Sequence, residues 1–380
     1  MDIIYVLDFG SQYSHLITRR IRELRVFAEL VPANFSLEKL KNAKGLILSG
    51  GPQNLSDSYA LRVDPKVFEL GIPVLGICYG MQLTAFELGG KVKAGKTREY
   101  GPTKVKVDYT SPIFKGLDID QDTWMSHGDQ VIKMPKGFES VASSDDTPIA
   151  AMAEKQKNIY GLQFHPEVVH TKNGMKILEN FLGITGANRN WKMEDVVKTE
   201  VEKIKNSVGK EKVVCALSGG VDSAVAASIV HQAVGKNLYC FYVDTGLMRA
   251  GETDQIQKFF KTQKHVNLTM VDAEKEFLKK LKGVTDPEKK RKIIGELFIR
   301  ICQREEKKLG GAKWLVQGTL YTDAISSGVS VGKTASLIKS HHNVGGLPKK
   351  LGFKLIEPLR ELYKDEVRQI GDILGLPKEI

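Results

Sequence analysis

Four cysteines in 380 residues, at 78, 215, 240 and 302, are too few and too scattered for a disulfide framework. No pair has the spacing of a thiolate metal site, which predicts reduced thiols, a cytoplasmic setting and no zinc. No apolar run approaches the roughly 18 residues that cross a bilayer. The opening "MDIIYVLDFGSQ" lacks the basic segment of a secretory signal and runs straight into a strand pattern. Aromatics make up only 8% and do not interleave with the basic residues, which argues against a nucleic-acid partner. There is no internal repeat and no low-complexity tract. What is present, 42% hydrophobic and 27% charged residues, is ordinary globular composition, and the length predicts two or three domains.

Net charge is +11 and unevenly placed. The first 190 residues carry 23 Lys and Arg against 21 Asp and Glu; the rest carry 33 against 24. The second half therefore favours an anionic partner, and without nucleic-acid motifs a nucleotide fits best. Solvated helix faces such as "EKEFLKKLKGVTDPEKKRK" (274–292) account for part of the excess.

Near-continuous apolar runs ending on glycine, "IIYVLDFG" (3–10), "GLILSGG" (45–51) and "IPVLGIC" (72–78), predict buried parallel strands. Helical patterns such as "SHLITRRIREL" (14–24) lie between them, so the region reads as α/β. "TKVKVDY" (103–109) and "NIYGLQFHPE" (158–167) read as later strands, with antiparallel pairing open to them. "LGITGANRNW" (182–191) reads as a linker, followed by a helix and a second series, "KVVCALSGGVDSAVAASIV" (212–230), of strand, Gly-rich loop and helix. The expectation is two α/β domains, 1–188 with a mixed open sheet and 189–380 with a parallel sheet.

Cys78 closes a predicted strand between Gly76 and Gly80, at the carboxyl end where open α/β sheets gather their chemistry. A thiol on a tight strand-to-helix turn is exposed, and the helix N-terminus favours its thiolate. A small buried core cysteine fits these facts nearly as well. His165 and Glu167, two apart in "QFHPE", would fall on one side of an extended segment and supply a base and the acceptor that orients it, although a surface loop pair reads the same by itself. "LDFGSQY" (7–13), "SGGPQ" (49–53), "GICYGMQ" (76–82) and "FHPEV" (164–168) occur in an order that resembles class I, triad-type glutamine amidotransferases over roughly 1–185. The resemblance implies that Cys78 attacks the amide of glutamine, His165 carries the proton and Glu167 orients His165. It also implies an oxyanion hole from the backbone N–H groups of Gly51 and Tyr79.

"LSGGVDSA" (217–224) places N–H groups and hydroxyls at a helix start, an anion cradle without the G-x-x-x-x-G-K-[ST] of P-loop enzymes. A plain tight turn would fit two glycines equally well. The whole string is similar to the SGGxDS loop of N-type ATP pyrophosphatases, an adenine-nucleotide α-hydrolase-like fold. By that resemblance Ser218, Gly219, Gly220, Val221, Asp222 and Ser223 cradle pyrophosphate. Asp222 is then the metal residue, beside a Mg²⁺ carried with ATP, and no redox cofactor is implied. "FYVDTGLMR" (241–249) places adenine near the Val243 backbone, "GTLYTD" (318–323) brings in Asp323, and "ELYKDE" (361–366) puts Lys364 on the phosphates, although a solvated helix lysine would look the same.

The stretch "GKTASLIKSHHNVGGLP" (332–348) reads by itself as a surface loop. It is similar to the lid and signature of the glutamine-hydrolysing GMP synthetase family, with Asp323, Lys339, His341, His342 and Asn343 on the acceptor side. That family implies glutamine, ATP and xanthosine 5′-monophosphate as substrates. It continues past the counterpart of "LGLPKEI" (374–380) into a dimerisation domain that completes the purine site. The resemblance thus implies only the lid side of that site within these 380 residues. Two other readings are a glutamine-dependent adenylating ligase for another acceptor, such as NAD synthetase, and a partial enzyme limited to glutaminase and ATP binding.

Overall fold

The computed structural model describes residues 2–326 and 353–377. The chain divides into two compact units, the first ending at Trp191 and the second beginning at Lys192.

The first unit is built on nine strands: β1 (Ile3–Asp8), β2 (Phe27–Pro32), β3 (Gly45–Leu48), β4 (Val74–Ile77), β5 (Lys91–Val107), β6 (Asp120–Lys133), β7 (Glu139–Ser143), β8 (Ala151–Glu154) and β9 (Ile159–Leu162). Their order is β2-β1-β3-β4-β9-β8-β7-β5-β6. The first five are parallel neighbours and the rest antiparallel, a mixed open sheet. β3, β4 and β9 are buried at every position, which is why their sequences are apolar runs rather than alternations. Of the segment 158–167 expected as a strand, only Ile159–Leu162 pairs, parallel to β4 on one side and antiparallel to β8 on the other; 163–167 turn away from the sheet.

Helices cover the sheet. Ser14–Glu23 buries Ile17, Thr18, Ile21 and Arg22, one stripe at helical spacing, and ends on Arg20 and Arg22, which suit the negative helix C-terminus. Tyr79–Glu87 is buried nearly all round over its first two turns. It lies so close to the strands that a Cβ on Gly80 would come within 2.2 Å of the Leu48 carbonyl oxygen, so only glycine fits. The helix Gly174–Thr185 takes the first residues of the stretch expected as a linker, and ends on Gly186 at φ +63°. Its apolar positions Ile177, Leu178, Phe181 and Leu182 are buried, and that packing outweighs the turn-like composition beyond them. Trp191 closes the unit, its ring 4.7 Å from that of Phe27 and its N–H donating to the Arg25 carbonyl.

The second unit holds an all-parallel sheet of β10 (Val213–Leu217), β11 (Leu238–Asp244), β12 (Asn267–Asp272), β13 (Trp314–Val316) and β14 (Lys354–Ile356). The order is β12-β11-β10-β13-β14. The chain leaves β10 toward one edge and returns on its other side, so β10 is the switch point at which such sheets bind ligands. Helices Met193–Val208, Val221–Val234 and Lys364–Ile373 pack on this unit. Among the described residues no helix is long and apolar enough to cross a membrane.

Candidate active site

Cys78 follows β4 directly and stands at φ +52°, ψ −105°, a conformation that few non-glycine residues adopt. It is held there by its own N–H, which donates to the Leu162 carbonyl at 2.7 Å, and by the helix that starts at Tyr79. β4 and β9 are paired Ile77 to Leu162, so residues just beyond both strands come together although they lie some 85 apart in sequence. His165 and Glu167 follow β9. His165 Nδ1 lies 2.7 Å from Glu167 Oε1, both side chains are buried, and Tyr13 meets the imidazole edge-on at 5.4 Å between ring centres. Burial works against a charge on His165, but Glu167 and the hydrogen-bonded thiol of Cys78 outweigh it, raising its pKa well above the ordinary histidine value.

These residues open on a cleft of about 360 Å³ lined by Ser11, Gly51, Cys78, Tyr79, Gln82 and Tyr100 among others. Gly51 and Tyr79, the expected oxyanion donors, both face it. Tyr79 is the first residue of its helix, where N–H groups have no intrahelical acceptor.

Sequence reading passed over a second layer. Gln82 Nε2 donates to the Asp129 carbonyl at 2.7 Å and lies 3.3 Å from Gln163 Oε1, and Gln163 Nε2 lies 3.6 Å from Cys78 Sγ. On the cleft wall His127 Nδ1 lies 3.0 Å from the Asp129 carbonyl, and its Nε2 is 3.3 Å from Glu99 Oε2. Burial pushes His127 below its ordinary value, with Glu99 pulling the other way. The available signals were Gln163, a polar residue inside the apolar run 159–164, and the histidine in "SHGD".

In the second unit the Gly-rich loop follows β10 and opens the helix Val221–Val234. Ser223 Oγ accepts from the Ser218 N–H at 3.2 Å and donates to the Gly220 carbonyl at 2.9 Å, so the two serines tie the turn. Gly219 has φ +78°, and a Cβ there would sit 1.7 Å from Glu252 Oε1. Lys364, 142 residues on, reaches the loop: its Nζ lies 2.6 and 2.7 Å from the two oxygens of Asp222. Val243 is buried near the end of β11. Asp323 Oδ2 accepts the Leu320 N–H at 3.0 Å, at the start of the helix Tyr321–Ser326. Lys339, His341, His342 and Asn343 lie outside the described residues.

A cysteine elbow with a buried His–Glu pair on a mixed α/β sheet is the architecture of a class I glutamine amidotransferase domain. The family model described as glutamine amidotransferase class-I matches residues 5–184, and the one described as NAD synthase matches 191–278. Over the whole chain, the GMP synthase [glutamine-hydrolyzing] of Caldicellulosiruptor saccharolyticus is 54% identical, with 74% of its own length covered. Those of Clostridium novyi, at 52%, and Carboxydothermus hydrogenoformans, at 54%, are covered to the same extent. The chain belongs to the GMP synthase [glutamine-hydrolyzing] family.

Proposed function

We propose that this chain takes glutamine, ATP and xanthosine 5′-monophosphate and carries the chemistry that makes GMP, AMP, pyrophosphate and glutamate. The observation that carries the reading is the meeting of Cys78 with the buried His165–Glu167 pair at the ends of adjacent parallel strands, in a chain that also bears a phosphate-type loop at a sheet switch point. In the first unit His165 takes the thiol proton and Cys78 sulfur attacks the amide carbon of glutamine. The Gly51 and Tyr79 N–H groups hold the oxyanion that forms. When the C–N bond breaks, His165 returns its proton to the leaving nitrogen. Ammonia departs, and water then cleaves the thioester to glutamate. Glu167 keeps the imidazole oriented and its charge stabilised throughout.

In the second unit the purine C2 oxygen attacks the α-phosphorus of ATP and pyrophosphate leaves. Ammonia then adds at C2 and AMP departs. The loop 218–223 binds the departing pyrophosphate, Lys364 shifts from Asp222 to the phosphates, and the backbone near Val243 meets adenine. Family likeness assigns Asp323, Lys339, His341, His342 and Asn343 to the acceptor. A Mg²⁺ ion fits here in its usual manner, through one carboxylate and phosphate oxygens: Asp222 is an oxygen donor beside the loop, and its present partner is already a cation. Bound, the ion would neutralise phosphate charge. We place the protein in the cytoplasm, where its four thiols stay reduced.

The test is Cys78→Ala. Glutamate release from glutamine should vanish, while Mg·ATP binding by the second unit, followed by calorimetry, stays at the parent level. Loss of both would overturn the division of labour.

A further inference from the structure

Gln163 is wholly buried and Gln82 nearly so, and together they link the cleft wall to the Cys78 sulfur. An amide's oxygen and nitrogen have the same shape, so its direction is settled by hydrogen-bond logic. The Asp129 carbonyl only accepts, so the Gln82 atom facing it at 2.7 Å must be the NH₂ group. That same nitrogen meets Gln163 at 3.3 Å, so the Gln163 atom there must be the oxygen. Gln163 is then obliged to turn its N–H toward Cys78 Sγ, 3.6 Å away. The reverse order would set two NH₂ groups against each other in buried surroundings and leave one without an acceptor.

The other neighbour of the sulfur sharpens the point. The Ser126 carbonyl lies 3.5 Å from Sγ. A carbonyl oxygen holds an S–H but repels a thiolate, whereas an amide N–H does the opposite. As the proton passes to His165, the sulfur loses its hold on Ser126 and gains on Gln163.

We propose that Gln163 is a positioning residue for the glutaminase step, donating its N–H to the Cys78 thiolate, with Gln82 and the Asp129 carbonyl fixing that N–H in place. The inference rests on Cys78 being the nucleophile, as proposed above. It goes beyond the Cys–His–Glu set by giving the thiolate a neutral, directional partner that stays put while the proton moves.

The experiment follows alkylation of Cys78 by iodoacetamide in the full chain, read by mass spectrometry of the peptide that carries it. Two variants are compared with the parent across pH 6 to 10. Gln163→Met keeps length and volume without a donor. Gln163→Glu is isosteric and turns an oxygen to the sulfur, and it supplies the reading if the first variant does not fold. At pH 7 alkylation should slow roughly ten-fold in Gln163→Met, the lower end of what a hydrogen bond to a charged group contributes. It should slow further in Gln163→Glu, and both should converge on the parent rate at high pH, where the thiolate forms unaided. Parent-like rates at pH 7 in a folded variant overturn the proposal. Equal slowing at every pH also overturns it, because that marks lost shape rather than a lost donor. The nucleophile reading fails separately, through glutamine hydrolysis persisting in Cys78→Ala.

Discussion

His165 holds its proton more firmly than an ordinary histidine because Glu167 and Cys78 outweigh the opposing cost of burial. Linkage turns this into a stability statement. The raised affinity contributes stability that is fully present below the unfolded histidine value near 6.5, and it is lost as pH rises through the higher folded value. Glu167→Gln removes the charge that sustains it. The decline in stability from pH 6.5 upward should then flatten, measured by urea unfolding at a series of pH values. Glutaminase activity should fall by roughly a thousand-fold or more, as when a triad carboxylate is neutralised with the geometry kept. A variant with parent-like turnover would show that His165 needs no charged orienter. The residues of this layer divide by how they could be read. His165 and Glu167 are legible through the motif they share with a family, not through spacing alone, since they lie in the turn after β9. Gln163 and the His127–Glu99 contact acquire meaning only once β4 is paired with β9 and β5 with β6.

At the level of elements, the Gly-rich loop 218–223 shows one turn serving two purposes. Ser218 and Ser223 close it locally, while Asp222 at the start of the helix reaches Lys364 at the start of another. That ion pair is partly exposed, with side chains 45% and 26% accessible, so its contribution to stability is small, about 0–1 kcal/mol. Lys364→Met should therefore leave the thermal midpoint nearly unchanged. On the proposed reading it removes a charge-assisted contact to phosphate, and Mg·ATP affinity should drop by roughly ten-fold or more. Calorimetric titration decides it: unchanged affinity would return Lys364 to the status of a surface residue. The turn itself was legible as glycines and serines between a strand and a helix, but its reading as a phosphate cradle came from the likeness of the whole string "LSGGVDSA" to a family's loop. Its partner was legible only through family likeness, because nothing local in "ELYKDE" points 142 residues back.

For the whole molecule, each unit has its own sheet and its own buried clusters, such as Leu7, Phe9, Leu46 and Tyr79 in the first and Val243, Phe277, Leu297 and Ile301 in the second. Damage to one should stay there. Trp191, 7% exposed and tilted at 40° against the Phe27 ring with the Arg22 guanidinium 5.4 Å from its own ring, fastens the end of the first unit. Trp191→Ala should destabilise that unit by about 3 kcal/mol, lowering the thermal midpoint followed through glutaminase activity. ATP binding by the second unit should be unchanged at temperatures where both are folded. Parallel loss of both would mean that the two cores are energetically one.

The sequence by itself determined the two α/β series, a cysteine at a strand-to-helix turn and a Gly-rich turn before a helix, with the motifs that tie Cys78, His165 and Glu167 to a family. Each is written in short-range chemistry: apolar runs that suit strands buried on both faces, glycines where backbone approaches backbone, hydroxyls at a helix start. Tertiary structure decided the rest. Only the β4–β9 register sets Cys78 level with Gln163 and two residues short of His165. Only the strand order puts β10 at a switch point and brings Lys364 to Asp222. The physical reason is that strand pairing is a long-range choice made by the whole core. A side chain's immediate neighbours in sequence carry no record of which distant backbone will lie beside it.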